Sequence, residues 1–294
     1  IIIISLLSAL LIVLCVFAVE MKNTEKKAYQ GISEIGEDQN TEVENKDNSQ
    51  FIDMSLAKDI EAYFQENGID HEKVAYCITD LEHNIKYSMN EKDEFIAASI
   101  YKLPLAMLYY DKINEGEYTL DSTFTYSGYM HEGAGVISSN YDIGSQVPLS
   151  DLLNDLIIYS DNDAGHILYE NLGGWKEYKE AMTKYTNSIS ENYYTMDNVT
   201  TVNTMNDVVT YLYDHKEDYK VLIKNMEKAE PGEYLDRDTQ LSMPQKYGMY
   251  DSALNSVGFV ECNTSYSIVV LTSLGDKGAD VMANINRIAY EHFK

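Results

Sequence analysis

The sequence predicts an α+β fold with one antiparallel sheet formed by N- and C-terminal strands, flanking helices and an inserted all-α subdomain. Two strand patterns, at residues 73–80 and 85–89, precede a mainly helical stretch at about 97–230. Three further strand patterns and a last helical pattern follow that stretch. Segregated strands and helices of this kind are typical of α+β domains, and they predict that the first and last strands share a sheet.

Each element is predicted from the local pattern of apolar residues. Helical spacing between Ser55, a predicted N-cap, and Gly68 indicates a helix at 56–67. The two N-terminal strands flank the turn-like residues 82–84 and should form a hairpin. Further helices are predicted at 99–114, 149–160, 162–172, 175–185, 204–213, 219–228 and 277–293, and further strands at 245–250, 255–261 and 266–274.

The chain is predicted to have three parts, at 1–19, 20–54 and 55–294. Residues 1–19 are apolar and uncharged, and as a helix they would reach about 28 Å, close to the thickness of a bilayer core. They fit an uncleaved membrane anchor or a signal peptide, and the absence of a clear cleavage motif favours the anchor. The acidic residues 20–54 are expected to form a disordered linker. The globular part is then expected on the extracellular face of the cytoplasmic membrane, or secreted.

Composition excludes several kinds of partner and site. The net charge of −26 argues against nucleic acid, since phosphate binding needs clustered basic residues. The scattered histidines and the lack of a C-x-x-C pair predict no metal site, and no cofactor is expected. Cys77 and Cys262 are interpreted as small buried side chains, with a disulfide outside the cell left open. No large apolar stripe stands out, so a monomer is expected.

The first motif with chemical potential is Ser99-x-x-Lys102, at the start of a predicted helix. Residues three apart lie on the same helix face. A buried lysine loses its proton more easily than an exposed one, and the neutral amine can accept the proton of a serine nucleophile. Taken alone, the spacing is common, and an N-capping serine beside a solvated lysine is the simpler interpretation.

Two further motifs are also weak when taken alone. Residues 160–162, Ser-Asp-Asn, lie at a corner between helices, where a hydroxyl could pass a proton to a leaving nitrogen and an amide could orient the lysine. A plain capping turn explains the same residues. Residues 246–248, Lys-Tyr-Gly, begin a strand that could offer a backbone N–H, a positive charge and close approach to a substrate.

In this order the three motifs resemble the S-x-x-K, S-D-N and K-T-G set of class A β-lactamases and penicillin-binding proteins. The resemblance to these penicillin-recognising serine enzymes extends from about Ser55 to the C-terminus. Residues 132–137 are similar to the Gly-x-Gly-apolar stretch of the family. Thr200 and Thr201 are similar to the threonine pair that opens the helix after the family's omega loop.

The resemblance implies a role for each motif residue. Ser99 would be the acylated nucleophile and Lys102 its proton partner. Ser160 would carry a proton to the leaving nitrogen, Asn162 would orient Lys102 and substrate, and Lys246 would polarise Ser160 and attract a substrate carboxylate.

The resemblance also implies a substrate-binding strand at Tyr247, Gly248 and Met249, with the N–H groups of Ser99 and Met249 as the oxyanion hole. The ligand would be a small-molecule β-lactam or a peptidoglycan-like peptide.

The sequence departs from the family in three places. Tyr247 replaces a threonine, no arginine lies between Lys246 and Asn286, and Glu191 is the only glutamate in the short loop 186–199. Without a base for water, an acyl-enzyme would hydrolyse slowly.

Three functions are therefore considered. The first is a serine hydrolase of class A β-lactamase type, and the second is a penicillin-binding or D,D-peptidase-like enzyme with slow deacylation. The third is a non-catalytic extracellular binding or sensor module on the same fold. The intact motifs favour the two enzymes.

Overall fold

The computed structural model describes residues 54–133, 135–239 and 241–294. The predicted anchor at 1–19, and the predicted linker up to residue 53, lie outside the described residues. Within the described ranges, no helix is long and apolar enough to cross a membrane.

The described chain begins and ends with a helix, the strands of its main sheet lie towards its two ends, and most of the other helices lie between those strands. The strands are β1 (Val74–Asp80), β2 (Ile85–Met89), β3 (Phe95–Ile96), β4 (Thr123–Thr125), β5 (Gln146–Pro148), β6 (Val199–Thr200), β7 (Gln245–Tyr250), β8 (Ala253–Val260) and β9 (Tyr266–Thr272). The helices are α1 (Ser55–Asn67), α2 (Lys102–Asn114), α3 (Val136–Asn140), α4 (Leu149–Ile158), α5 (Asn162–Asn171), α6 (Trp175–Met182), α7 (Val202–Asp214), α8 (Lys220–Met226) and α9 (Lys277–Phe293).

A five-stranded antiparallel sheet in the order β2-β1-β9-β8-β7 joins the two ends of the domain. In its centre β1 pairs with β9, with Cys77 opposite Val269. The hairpin predicted at 73–89 is present as β1 and β2. The prediction that N- and C-terminal strands share one antiparallel sheet, with helices around it, is therefore confirmed.

The sheet is covered on both faces, which explains the nearly unbroken apolar sequences of its central strands. Val74, Tyr76 and Ile78 of β1 pack with α1 and α9. The alternate residues Ala75 and Cys77 face the opposite way, into the larger core that the helical region provides. This alternation follows from the two-residue period of a β-strand.

Some predicted boundaries were wrong. Ser55 is the first residue of α1 and Met54 occupies the cap position without a side-chain hydrogen bond, whereas Gly68 ends the helix in a left-handed conformation, as predicted. The predicted helix 99–114 is a 3₁₀ turn, Ala98–Tyr101, followed by α2. The two-stranded pairs β3–β6 and β4–β5 were missed because strands of two or three residues show no periodicity. Cys77 and Cys262 are both free thiols.

A partly buried carboxylate connects the helices of the larger core. Asp111 on α2 accepts hydrogen bonds from the hydroxyls of Tyr185 and Tyr219, the second at 2.6 Å. The ammonium of Lys184 lies 2.6 Å from the same carboxylate. Because both tyrosines are almost fully buried, removal of their acceptor leaves polar groups that water cannot reach.

We predict that Asp111→Ala lowers the free energy of unfolding by about 2–4 kcal/mol, since it leaves two buried hydroxyls and a cation without their acceptor. Denaturation in urea measures the change. Asp142→Ala, which alters an exposed turn residue, is the control and should change stability by less than about 0.5 kcal/mol. Equal stability of the two variants would show that the Asp111 contacts are not stabilising.

Candidate active site

Ser99 lies in the 3₁₀ turn between β3 and α2, and this turn packs directly against β7. A Cβ at Gly248 would lie 2.6 Å from the backbone nitrogen of Ser99 and 2.8 Å from that of Ile100, so no larger residue fits without movement. The side chain of Asn255 on β8 also donates to the carbonyl of Ile96 at 2.8 Å. The sequence predicts that Gly248 permits close approach of a substrate, and the structure shows that it permits close approach of the Ser99 turn.

The backbone is strained beside Ser99 and again at Ser160. Ala98 has a φ of +49° and Ser160 a φ of +55°, values that non-glycine residues adopt at a cost of about 1–3 kcal/mol. Both positions are flanked by well-packed elements that hold this conformation. Such strain is concentrated at functional sites more often than elsewhere.

Lys102 is fully buried, and its ammonium contacts the Ser-Asp-Asn corner. Nζ donates to the carbonyl of Ser160 at 2.6 Å and to Oδ1 of Asn162 at 2.7 Å, and lies 3.4 Å from Oγ of Ser160. In the part of the chain that the structure describes, Oγ of Ser99 has no hydrogen-bond partner. The nucleophile proposed from the sequence is thus unbonded and partly exposed, while its predicted proton partner is held by the second motif.

Lys246 on β7 is also fully buried, and it contacts the same Ser-Asp-Asn corner from the side of the sheet. Its Nζ donates to Oγ of Ser160 at 3.0 Å and to the carbonyl of Tyr247 at 2.7 Å. The structure therefore brings one residue of each motif to a single hydroxyl, that of Ser160. The three motifs lie far apart in the chain, and this convergence is a property of the fold.

Burial changes the acid–base properties of both lysines. It lowers the pKa of Lys102 to about 7, against the opposing effect of Asp161 and Glu132. Burial, reinforced by the nearby charge of Lys102, also lowers the pKa of Lys246 well below its usual value. Desolvation disfavours the charged amine and two neighbouring cations disfavour each other. A neutral amine at Lys102 is therefore accessible near neutral pH.

Asp161 and Asp163 bind the backbone at Glu132 and at the start of α3. Asp161 accepts hydrogen bonds from the backbone N–H of Val136 at 2.6 Å and of Ile137 at 3.1 Å, and caps α5 through the N–H of Ala164. Asp163 accepts from the N–H of Glu132 at 2.6 Å. These bonds fix one edge of the space above Ser99.

That space is an open cleft of about 620 Å³. Three residues proposed from the sequence line it, namely Ser99, Asn162 and Met249. Glu132, from the stretch 132–137 noted in the sequence, also lines the cleft. Other lining residues that no sequence motif indicated include Tyr169, Met196, Asp197, Asn198 and Tyr250.

Tyr247 is placed differently from its neighbours in the predicted binding strand. Its ring stacks on Tyr234 at a centroid distance of 4.8 Å and lies 4.2 Å from Nζ of Lys246. The residues that line the cleft do not include Tyr247. Its role in substrate binding stays a prediction.

Glu191 and both arginines of the chain, Arg237 and Arg287, are absent from the lining of this cleft. Glu191 lines a separate cavity together with Glu91 and Glu94. Arg237 pairs with carboxylates on the surface, and Arg287 donates to Asn284 of its own helix. Among the described residues, no group of three or more His, Cys, Asp or Glu side chains could hold a metal ion.

Asn198 connects the loop before α7 to the Ser99 turn. Its carbonyl accepts from the N–H of Ala97 at 2.8 Å and its side chain donates to the carbonyl of Ala98 at 2.9 Å. The sequence indicated only the nearby pair Thr200 and Thr201, and Thr201 caps α7 by accepting from the N–H of Thr204. No sequence pattern indicated Asp197 or Met196.

The sheet, the helical layer and the three convergent motifs define the fold of the penicillin-recognising serine enzymes, in its class A β-lactamase-like form. The chain belongs to the Beta-lactamase enzyme family, whose model matches residues 55–293. No curated protein matches the chain.

Solved structures support the same fold. The chain is similar to a β-lactamase from Chitinophaga pinensis, with 20% identity, a TM-score of 0.68, and coverage of 81% of this chain and 99% of that one. It is similar to the TLA-1 extended-spectrum β-lactamase, with 21% identity, a TM-score of 0.68, and coverage of 81% and 98%. A PBP-A variant, described as an acyl-enzyme complex with penicillin G, shows 16% identity, a TM-score of 0.69, and coverage of 82% and 96%.

We predict that Gly248→Ala destabilises the protein by about 2 kcal/mol or more, because the added methyl overlaps the backbone of the Ser99 turn. Chemical denaturation measures the effect. Gly128→Ala is the matched control, since a Cβ there meets nothing closer than Ile143 at 3.5 Å. A Gly248→Ala protein as stable as the control would mean that the turn does not depend on this contact.

Proposed function

We propose that this protein is a serine hydrolase that acylates Ser99 with a β-lactam or a related amide and then hydrolyses the acyl-enzyme. The observation that carries the proposal is the convergence of the buried Lys102 and Lys246 on the hydroxyl of Ser160, beside a partly exposed Ser99 whose Oγ has no hydrogen-bond partner among the described residues. A plain helix cap with a solvated lysine, the simpler interpretation of the sequence, does not explain two buried lysines.

The proposed acylation begins with proton transfer from Oγ of Ser99 to the neutral amine of Lys102. The resulting nucleophile attacks the amide carbonyl, and the C–N bond breaks as Ser160 donates its proton to the leaving nitrogen. Ser160 recovers a proton through the lysines, both of which contact it. The lowered pKa of Lys102 supports its role, because a base works best when its pKa is close to the working pH.

The developing oxyanion is proposed to accept from the N–H groups of Ser99 and Met249. The turn of Ser99 lies against β7, the strand that carries Met249. Backbone donors that are fixed before the reaction stabilise charge without reorganisation. Asn162 lines the cleft and bonds Lys102, which supports a role in orienting both the lysine and the substrate.

A second candidate is a penicillin-binding or D,D-peptidase-like enzyme whose acyl group stays on Ser99. It is favoured by the position of Glu191, the glutamate that the sequence offered as a base for water, in a cavity other than the Ser99 cleft. Two other carboxylates, Glu132 and Asp197, line the cleft. The lifetime of the acyl-enzyme distinguishes the two candidates.

The test is the intact mass of the full chain during incubation with benzylpenicillin. We expect a covalent adduct on the unaltered protein and on Ser242→Ala, a control at an exposed serine, but none on Ser99→Ala. An adduct that disappears with free penicilloate in solution supports the hydrolase, and one that persists supports the second candidate. If the unaltered protein forms no adduct and releases no more penicilloate than Ser99→Ala, the β-lactam proposal is wrong and a non-catalytic binding module is favoured.

The acylation rate should rise with pH through about 7, where the buried amine of Lys102 becomes neutral. Below this pKa the protonated amine cannot accept the serine proton, so the rate should fall about tenfold for each pH unit. The initial rate of adduct formation, measured between about pH 5 and pH 9, checks this. Lys176→Met, a change at an exposed lysine, should leave the profile unaltered. A flat profile in a folded protein would exclude Lys102 as the base.

A further inference from the structure

The loop at 193–198 forms one wall of the Ser99 cleft. Met196, Asp197 and Asn198 line the cleft, and Met196 is 79% exposed. The loop lies between α6 and β6 and contains no helix or strand. A segment without its own secondary structure needs other contacts to keep a defined position.

Lys179 on α6 supplies such contacts from behind the loop. Its residue exposure is only 3%, although lysines are almost never fully buried. Nζ donates to the carbonyls of Tyr193 at 2.6 Å, Thr195 at 2.9 Å and Asp197 at 2.6 Å. The three donors of the ammonium are thus matched by three carbonyls from five consecutive residues.

The charge of Lys179 is stabilised by carbonyl dipoles, by aromatic rings and by the nearby negative charge of Asp197, which opposes the lowering of the lysine pKa by burial. In the described ranges no carboxylate lies within ion-pair distance of its Nζ, while the rings of Trp175 and Tyr193 lie 5.2 Å from it. Hydrogen bonds from a cation are about twice as strong as neutral ones, and aromatic faces add further attraction. An uncharged side chain of the same length would keep the packing and lose these interactions.

The loop also contacts the residues immediately before the proposed nucleophile, Ser99. Asn198 follows Asp197 directly, and its backbone and side chain bond the N–H of Ala97 and the carbonyl of Ala98. Ala98 is the strained residue immediately before Ser99. A shift of the loop therefore changes both the cleft wall and the support of the Ser99 turn.

We propose that Lys179 is a positioning residue, whose buried ammonium fixes the loop 193–198 as the cleft wall and thereby keeps Ser99 in its reactive geometry. The effect on Ser99 rests on the proposed function. The effect on the loop does not, because it follows from the contacts of Lys179 alone.

The test compares Lys179→Met with Lys176→Met in the full chain. Lys176 lies one turn earlier on the same helix, with its side chain 70% exposed. Two quantities are measured, namely the amide hydrogen exchange of peptides across the domain and the rate of Ser99 acylation by benzylpenicillin. Leu222→Ala, a core change on α8, shows what general destabilisation alone does.

We expect Lys179→Met to speed exchange at 193–198 and to slow acylation, each by about tenfold or more, and Lys176→Met to change neither by more than about twofold. Unchanged exchange at 193–198 overturns the proposal, as does an increase spread over the whole domain in the manner of Leu222→Ala. Faster exchange at the loop with undiminished acylation limits Lys179 to the loop and overturns its role toward Ser99. If the unaltered protein is not acylated, the proposed function fails, and exchange still decides the role of Lys179 in the loop.

Discussion

The contact on which the site depends is the meeting of two buried lysines at the hydroxyl of Ser160. Removal of two ammonium groups from water is costly, and their mutual repulsion adds to the cost. The fold offsets this cost with hydrogen bonds from the lysines to the carbonyls of Ser160 and Tyr247 and to the amide oxygen of Asn162. Lys102 comes from the helical layer and Lys246 from the sheet, so the junction exists only when both layers are packed together.

The sequence predicted those parts of the fold whose residues repeat with a clear period. The last helix was predicted with its observed bounds, as was β7, because amphipathic and alternating patterns depend only on local sequence. The pairing of β3 with β6 spans about a hundred residues and involves only two on each side, so no local pattern reveals it. The 3₁₀ turn at Ser99 depends on packing against Gly248, which is also non-local.

The residues of the site, like the elements of the fold, were predictable where a local sequence motif marks them and not where they depend on contacts between distant parts of the chain. The order of three short motifs indicated which residues converge, but not that Tyr247 would stack on Tyr234. The role of Lys179 was not predicted because a lysine on an amphipathic helix is normally solvated. Its burial depends on a loop that follows it in the chain by more than ten residues. No sequence motif indicates Asp197 or Met196 as cleft residues. Their position depends on the contacts that hold the loop, such as those of Lys179, and these contacts come from a distant part of the chain.

Under the proposed function, formation and loss of an acyl group would place different demands on this structure. Formation would need Ser99, the two lysines and Ser160, which the sheet and the helical layer hold in place, with Gly248 allowing close contact between the Ser99 turn and β7. Loss would need a water molecule in the cleft, one wall of which, at Asp197 and Asn198, belongs to a loop held through its carbonyls. Residues on such loops vary more freely than residues in packed elements. Under the proposed function, the residues for acylation would therefore be held by packed elements, whereas any residue of the loop 193–198 that acts on water would lie on a segment that tolerates change more readily.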